Sequence, residues 1–78
     1  MKKKMPVLDL YLSAFLSLHG SQPELTKQGT RIIFEFPSNK EVFQLSREFN
    51  ANPSVSVLDY VKAIRQLKAK MFSMKGEA

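Results

Sequence analysis

The sequence predicts an α+β domain in the order helix, β-hairpin, helix, helix, with a small two-stranded antiparallel sheet packed on the helices. Three observations predict it: a capped apolar run near the N-terminus, a strictly alternating strand after it, and two further segments with helical periodicity. The chain has 78 residues, 44% of them hydrophobic, which suits one small folded domain. We expect that domain over residues 6–75, between a disordered basic tail at 1–5 and a short tail at 76–78.

The first helix is predicted over residues 10–19. Asp9 supplies the N-cap carboxylate, and Gly20 supplies the left-handed residue that ends the helix. His19, the sole histidine, stands in the last turn, where it is interpreted as a partner of the free carbonyls and not as a metal ligand. Because the helix is apolar on more than one face, other elements or a partner must pack against it on several sides. We therefore assign Leu16 and Leu18 to a candidate association surface.

A β-hairpin is predicted next. Residues 31–36 alternate, so every second side chain lies on one apolar face, and Gly29 marks the turn before them. Residues 23–27 form the weaker partner strand. Pro37 cannot donate to a ladder and ends the second strand. The apolar face consists of Ile32, Phe34 and Phe36.

The second helix is predicted to begin with a capping box. Ser38 takes the N-cap position and Glu41 the N3 position. Phe43 lies about 100° away from the apolar stripe of this helix, so we assign it to the association surface as well. The stripe that faces the hairpin is Val42, Leu45 and Phe49.

The last helix is predicted from a cap at Ser54 or Ser56 to about Met74. A helical wheel divides it into an apolar core arc and a solvated arc. The solvated arc carries Lys62, Arg65 and Lys70 beside one acid and no aromatic residue, which makes these three cations candidate polyanion contacts. The core arc comprises Val57, Tyr60, Val61, Ile64, Leu67, Met71 and Phe72.

Lys68 falls in the middle of the core arc on the same wheel. An unpaired buried ammonium is costly, so its side chain must reach water or find an acid. One interpretation packs the stem against Phe72 with the ammonium at the rim. The other is a buried or interface ion pair, either across subunits or with Glu35 or Glu48.

Composition excludes several functional classes. The chain has no cysteine and one histidine, so disulfides, thiolate zinc sites and multi-histidine sites within one chain are excluded. No nucleophile elbow, acid–base carboxylate pair or phosphate loop occurs, and we expect no enzyme, no cofactor and no small-molecule substrate. A membrane-spanning helix is not expected, because the apolar run at 7–18 is far shorter than the ~20 residues that span a bilayer. Attachment to an anionic membrane through the lysine tail and the first helix is a third and less favoured idea. Absence of cysteine favours the cytoplasm.

Three segments together resemble a known family: DLYLSAFLSLHG at 9–20, RIIFEFPSNKEVFQL at 31–45 and LDYVKAIRQLKAKMF at 58–72. The matching positions are Asp9, Leu10, Leu12, Ala14 and Gly20, then Ile33 in place of a valine with Phe34 and Phe36, then Leu67, Lys68, Ala69 and Phe72. Ser13 replaces an alanine of the pattern. With these motifs the chain resembles a family of small bacterial and phage-associated domains of unknown function. The resemblance implies a prokaryotic or phage cytoplasmic setting and brings no catalytic residues.

Two functional hypotheses follow. The first is a non-catalytic protein that acts by protein–protein association, with itself as the expected partner, because a domain this small gains stability from a second subunit. The alternative is weak nucleic-acid binding through the tail lysines at 2–4 and the cations of the last helix. The formal net charge of +5 is concentrated at the two ends of the chain, which permits but does not favour that alternative.

Overall fold

The computed structural model describes residues 3–76 of the chain; residues 1–2 and 77–78 lie outside the description. Three helices and one antiparallel sheet confirm the predicted α+β class, but the sheet has three strands instead of two. The elements are β1 (Lys4–Val7), α1 (Leu10–Leu18), β2 (Glu24–Gln28), β3 (Arg31–Pro37), α2 (Lys40–Asn50) and α3 (Val57–Gly76).

The additional strand is β1. It pairs antiparallel with β3, so the strand order is β1-β3-β2 with β3 in the centre. The structure thus places Lys4 and Met5 in the sheet, where a disordered tail through residue 5 was expected. Pro6 is tolerated because β1 is an edge strand, in which not every N–H is needed for the ladder. The first part of the expected tail, residues 1–2, lies outside the described residues.

The hairpin of β2 and β3 is confirmed. Gln28 pairs with Arg31 across a turn in which Gly29 has a φ of +61°, a left-handed value that favours glycine. In the register, Leu25 lies opposite Phe34 on the apolar face of the sheet. Ile32, Phe34 and Phe36 are all buried, as their alternation predicts.

Both predicted ends of α1 are confirmed. The Asp9 carboxylate accepts from the backbone N–H groups of Tyr11 at 2.8 Å and Leu12 at 3.2 Å. At the other end, Gly20 has a φ of +95° and the Ser21 N–H donates to the Leu16 carbonyl at 3.0 Å. This is the Schellman arrangement that satisfies the last carbonyls of a helix.

One core holds the helices to a single face of the sheet. Its buried members come from β1, α1, β3, α2 and α3, with α1 in contact with both other helices. The opposite sheet face carries the half-exposed Ile33 and Glu35. The buried members are Val7, Ala14, Phe15, Leu16, Phe34, Phe36, Val42, Leu45, Ala63 and Leu67.

The N-cap of α2 differs from the prediction. Asn39, and not Ser38, is the cap: its side-chain oxygen accepts from the Val42 N–H at 2.9 Å. Helix α2 therefore begins at Lys40, one residue later than a Ser38 cap requires, so Glu41 does not occupy the N3 position of a capping box. The stripe of Val42, Leu45 and Phe49 does face the core, as predicted.

Helix α3 begins after Ser56, whose carbonyl accepts from the Tyr60 N–H at 2.9 Å. It continues to Gly76, two residues beyond the predicted end at Met74 and into the segment expected to be a tail. Among the described residues, no helix combines the length and apolar character needed to cross a bilayer.

Candidate functional site

The core side of α3 is rotated from the predicted arc. Ala63 and Leu67 are the buried residues of this helix, whereas Val57 and Phe72 are exposed. The physical reason is the close packing of α3 on α1. A small alanine lets two helices approach closely, so Ala63 faces α1. The helical wheel did not place Ala63 in the core because alanine is only weakly hydrophobic. Three other members of the expected core arc, Tyr60, Ile64 and Met71, pack partly against the core.

Lys68 is exposed as a result of this rotation. The expectation that it lies in a buried arc is wrong, and within the described chain neither Glu35 nor Glu48 pairs with it. An exposed ammonium needs no partner, because water solvates it. The ion pair that the described residues do form joins Lys4 to Glu24 across the sheet.

Four exposed residues of α3 form a line along its outer side, which we call the basic stripe: Arg65, Lys68, Phe72 and Lys75. Their spacing of three, four and three residues keeps them within an arc of about 80° on a helix. Phe72 is 69% exposed, so an aromatic ring does stand among the cations, contrary to the sequence-based wheel. No acid occurs between Tyr60 and Gly76. Of the other two candidate polyanion contacts, Lys70 projects from the far side of the helix.

Lys62, the remaining candidate, lines a polar cleft between α1 and α3. Asp59 and Gln66 of α3 and Leu18 of α1 line the same cleft, which has a volume of about 260 Å³. The hydroxyl oxygen of Ser17, also at this cleft, is buried and lacks a hydrogen-bond partner among the described residues. Lys62 thus has an acid one helical turn away, and its charge is locally balanced.

Tyr60 connects α3 to the start of α1. Its hydroxyl donates to the Tyr11 carbonyl at 2.9 Å. Burial raises the pKa of Tyr60 above its ordinary value, and the charge of Asp9 and the neighbouring Tyr11 raise it further. Because the two tyrosines are far apart in sequence, no local signal could have predicted this contact.

An apolar pocket of about 310 Å³ opens beside Tyr60. The rings of Phe15 and Phe49, with centroids 5.6 Å apart, line it together with Asn52. Asn52 has a φ of +58°, a value that asparagine adopts more readily than most residues. Sequence reasoning missed this pocket, since its walls come from three separate elements.

The expected association surface is only partly available. Leu16 is fully buried, so it belongs to the core and cannot contact a partner. Leu18 is half-buried in the polar cleft described above. Phe43 is 49% exposed on the outer side of α2, as predicted. The structure therefore separates Phe43 from the two leucines of α1.

No group of three or more metal-ligating side chains occurs among residues 3–76. His19 occupies the C-cap position of α1, and its ring packs edge-on against Phe15 with centroids 4.6 Å apart. The sequence predicts this position at the helix end, and the contact that the ring makes there is with Phe15.

These features define a small α+β domain in which three helices cover one face of a three-stranded antiparallel sheet. The chain belongs to the family described as a domain of unknown function, DUF5659, which it matches over residues 2–73. This confirms the membership of a family of unknown function that the motifs suggest. Comparison with curated proteins gives no match, and neither does comparison with solved structures.

Proposed function

We propose that this chain is a non-catalytic domain that acts by protein–protein association, with a second copy as its partner and the outer side of α2 as the contact surface. The observation that carries the proposal is the exposure of Phe43. This ring is half exposed, whereas the apolar stripe of the same helix, Val42, Leu45 and Phe49, packs into the core. Large aromatic side chains at a surface are the residues that most often anchor an interface.

The charges of α2 support a second copy as the partner. Lys40 and Arg47 balance Glu41 and Glu48, and the four are placed symmetrically in sequence about Gln44. If two α2 helices pair antiparallel about Gln44, Lys40 lies level with Glu48 of the partner subunit. By the same symmetry Glu41 lies level with the partner's Arg47. Complementary charges of this kind favour one orientation of an interface.

Helix α3 is less suited to self-pairing. Its outer side carries Arg65, Lys68 and Lys75 without an acid, and two such sides would repel each other. An α2 contact is small, so we expect weak association that depends on protein concentration.

The experiment is sedimentation velocity over a wide range of protein concentration. The wild-type chain is expected to show a dimer that grows with concentration, and Phe43→Ser is expected to remain monomeric. Leu58→Ser is the matched control. Leu58 is 81% exposed on α3, so this substitution removes a comparable exposed apolar side chain from another helix. It is expected to associate as the wild type does.

A charge exchange tests the antiparallel arrangement. Arg47→Glu alone is expected to weaken the dimer, because it faces Glu41 of the partner subunit in the proposed pairing. Adding Glu41→Arg to the same chain restores opposite charges and is expected to restore the dimer. A wild-type chain that stays monomeric at every concentration contradicts the proposal, and so does a Phe43→Ser variant that dimerises normally.

A further inference from the structure

The basic stripe on α3 is a surface whose charges are not used by the fold. Arg65, Lys68 and Lys75 are exposed, and within the described residues none of them forms an ion pair. The nearest acid before the stripe, Asp59, stands next to Lys62 at the polar cleft. The stripe is therefore a local concentration of positive charge on a rigid helix.

Phe72 gives this surface a second property. Its ring is 69% exposed and lies one turn beyond Lys68, with Lys75 one turn further on. Burial of this ring in the core would be the ordinary outcome for a phenylalanine in a small domain. Instead, the rotation of α3 onto Ala63 and Leu67 leaves the ring among the cations.

We infer that the basic stripe binds single-stranded nucleic acid, with Arg65, Lys68 and Lys75 at the phosphates and Phe72 stacked on a base. Cations that follow the backbone and an aromatic ring that accepts an unpaired base are the two components of sequence-tolerant single-strand binding. The stripe extends over about 15 Å of helix. It can therefore reach at most about five successive phosphates, since charges on one strand stand roughly 3.4 Å or more apart.

The chemistry of the stripe favours a single strand over the other polyanions. In a duplex the base faces are covered by neighbouring pairs, so Phe72 would have nothing to stack on. An anionic bilayer would need a broad apolar face to insert, whereas this part of the helix presents one aromatic ring between cations. The basic stripe lies on a different helix from Phe43, so nucleic-acid binding there does not depend on self-association.

The experiment measures fluorescence anisotropy of a labelled oligothymidylate of about 12 nucleotides and of a duplex of equal length, at about 50 mM salt and above. Wild-type protein is expected to bind the single strand more tightly than the duplex. Phe72→Ala is expected to weaken single-strand binding about 5- to 150-fold, the usual effect of losing one stacked base. Lys68→Gln is expected to lower the slope of log affinity against log salt by about 0.7.

Lys70→Gln is the matched control. It removes the same charge from the same helix, but Lys70 projects from the side opposite the stripe, so affinity is expected to stay within about twofold of the wild type. All these positions are exposed, so the variants are expected to fold, and their unfolding free energies are measured to check this. Three outcomes overturn the inference: no binding at about 50 mM salt, equal losses for Lys68→Gln and Lys70→Gln, or equal affinity of Phe72→Ala and wild type for the single strand. Tighter binding to phosphatidylserine vesicles than to the oligonucleotide also overturns it, in favour of a membrane surface.

Discussion

At the scale of single residues, Tyr60 shows how one polar atom can fix the relation of two helices. Its ring packs against the core while its hydroxyl reaches the Tyr11 carbonyl in the first turn of α1. That carbonyl belongs to an element capped by Asp9, whose charge lies close enough to raise the pKa of Tyr60. Deprotonation of Tyr60 would remove the hydrogen-bond donor and place two negative charges near each other.

We expect Tyr60→Phe to lower the free energy of unfolding at neutral pH by about 1 kcal/mol, through loss of this hydrogen bond. The stability that the Tyr60 hydroxyl provides also depends on pH. Because folding raises the pKa of Tyr60, the contribution is fully present below the unfolded value of 10.0 and is lost as pH rises beyond it. Urea unfolding at a series of pH values measures both effects. In alkaline solution the unfolding free energy of the wild type should approach that of Tyr60→Phe.

Tyr11→Phe is the control for this series. The Tyr11 side chain is exposed, and the Tyr60 bond uses its backbone carbonyl. Because burial is the largest cause of the raised pKa of Tyr60 and Tyr11 the smallest, this variant should keep most of the alkaline loss of stability. A stability difference between wild type and Tyr60→Phe that stays constant above pH 10.0 would contradict the role of the hydroxyl.

Some residue roles are readable from sequence and others are not. Asp9 and Gly20 were predicted because capping depends on neighbours within one helical turn. The burial of Leu16 and the exposure of Phe72 could not be predicted in this way. Each depends on which side of its helix meets another element, and periodicity alone does not give that direction.

At the scale of elements, the start of α2 illustrates a choice between adjacent caps. Ser38 and Asn39 both have side chains suited to an N-cap, and the sequence pattern favoured Ser38 because Glu41 follows at the capping-box spacing. The structure instead uses Ser38 to extend the pairing of β1 and β3 by one residue, because its N–H donates to the Lys3 carbonyl at 3.0 Å. This pairing with the first strand leaves Asn39 as the cap.

We expect Asn39→Ala to lower the free energy of unfolding by about 1 kcal/mol, the usual loss for an N-cap residue. Ser38→Ala is the matched control: its backbone N–H remains, so its effect should stay within about 0.5 kcal/mol. Chemical denaturation of both variants measures the difference. Equal losses, or a larger loss for Ser38→Ala, would contradict the cap at Asn39.

For α3, sequence predicts a long helix with one apolar and one cationic side, and the structure confirms that much. The predicted orientation of those sides was only partly right: Leu67 does lie in the core, but Lys68 and Phe72 are exposed. Ala63 accounts for the error, because close helix packing favours a small residue whose hydrophobicity is low.

At the scale of the whole molecule, β1 changes where the domain begins. The three lysines and Pro6 favour a tail when read locally, and the partner strand that stabilises them is far away in sequence. Val7, the last residue of β1, is 6% exposed and belongs to the common core. Sequence patterns therefore predicted the fold class and the hairpin but not the third strand, whose formation depends on a non-local pairing.

We expect Val7→Ala to lower the free energy of unfolding by roughly 2 kcal/mol, because it removes two buried methyl groups from the core. Leu8→Ala is the matched control. Leu8 adjoins Val7 but is 59% exposed, so its truncation should change stability by less than about 0.5 kcal/mol. Urea denaturation checks both; similar small effects would show that β1 contributes little to the domain.

The position of β1 also has a consequence for how the chain folds during synthesis. β1 leaves the ribosome before the other described elements, but the strand with which it pairs is β3. The β2–β3 hairpin joins neighbouring strands and can close locally, whereas β1 has to wait until Pro37 has been synthesised before its ladder is complete. During that interval β1 is an unpaired strand with Lys4 at its first position and Lys3 just before it, and positive charges on an unpaired strand disfavour premature pairing with another chain.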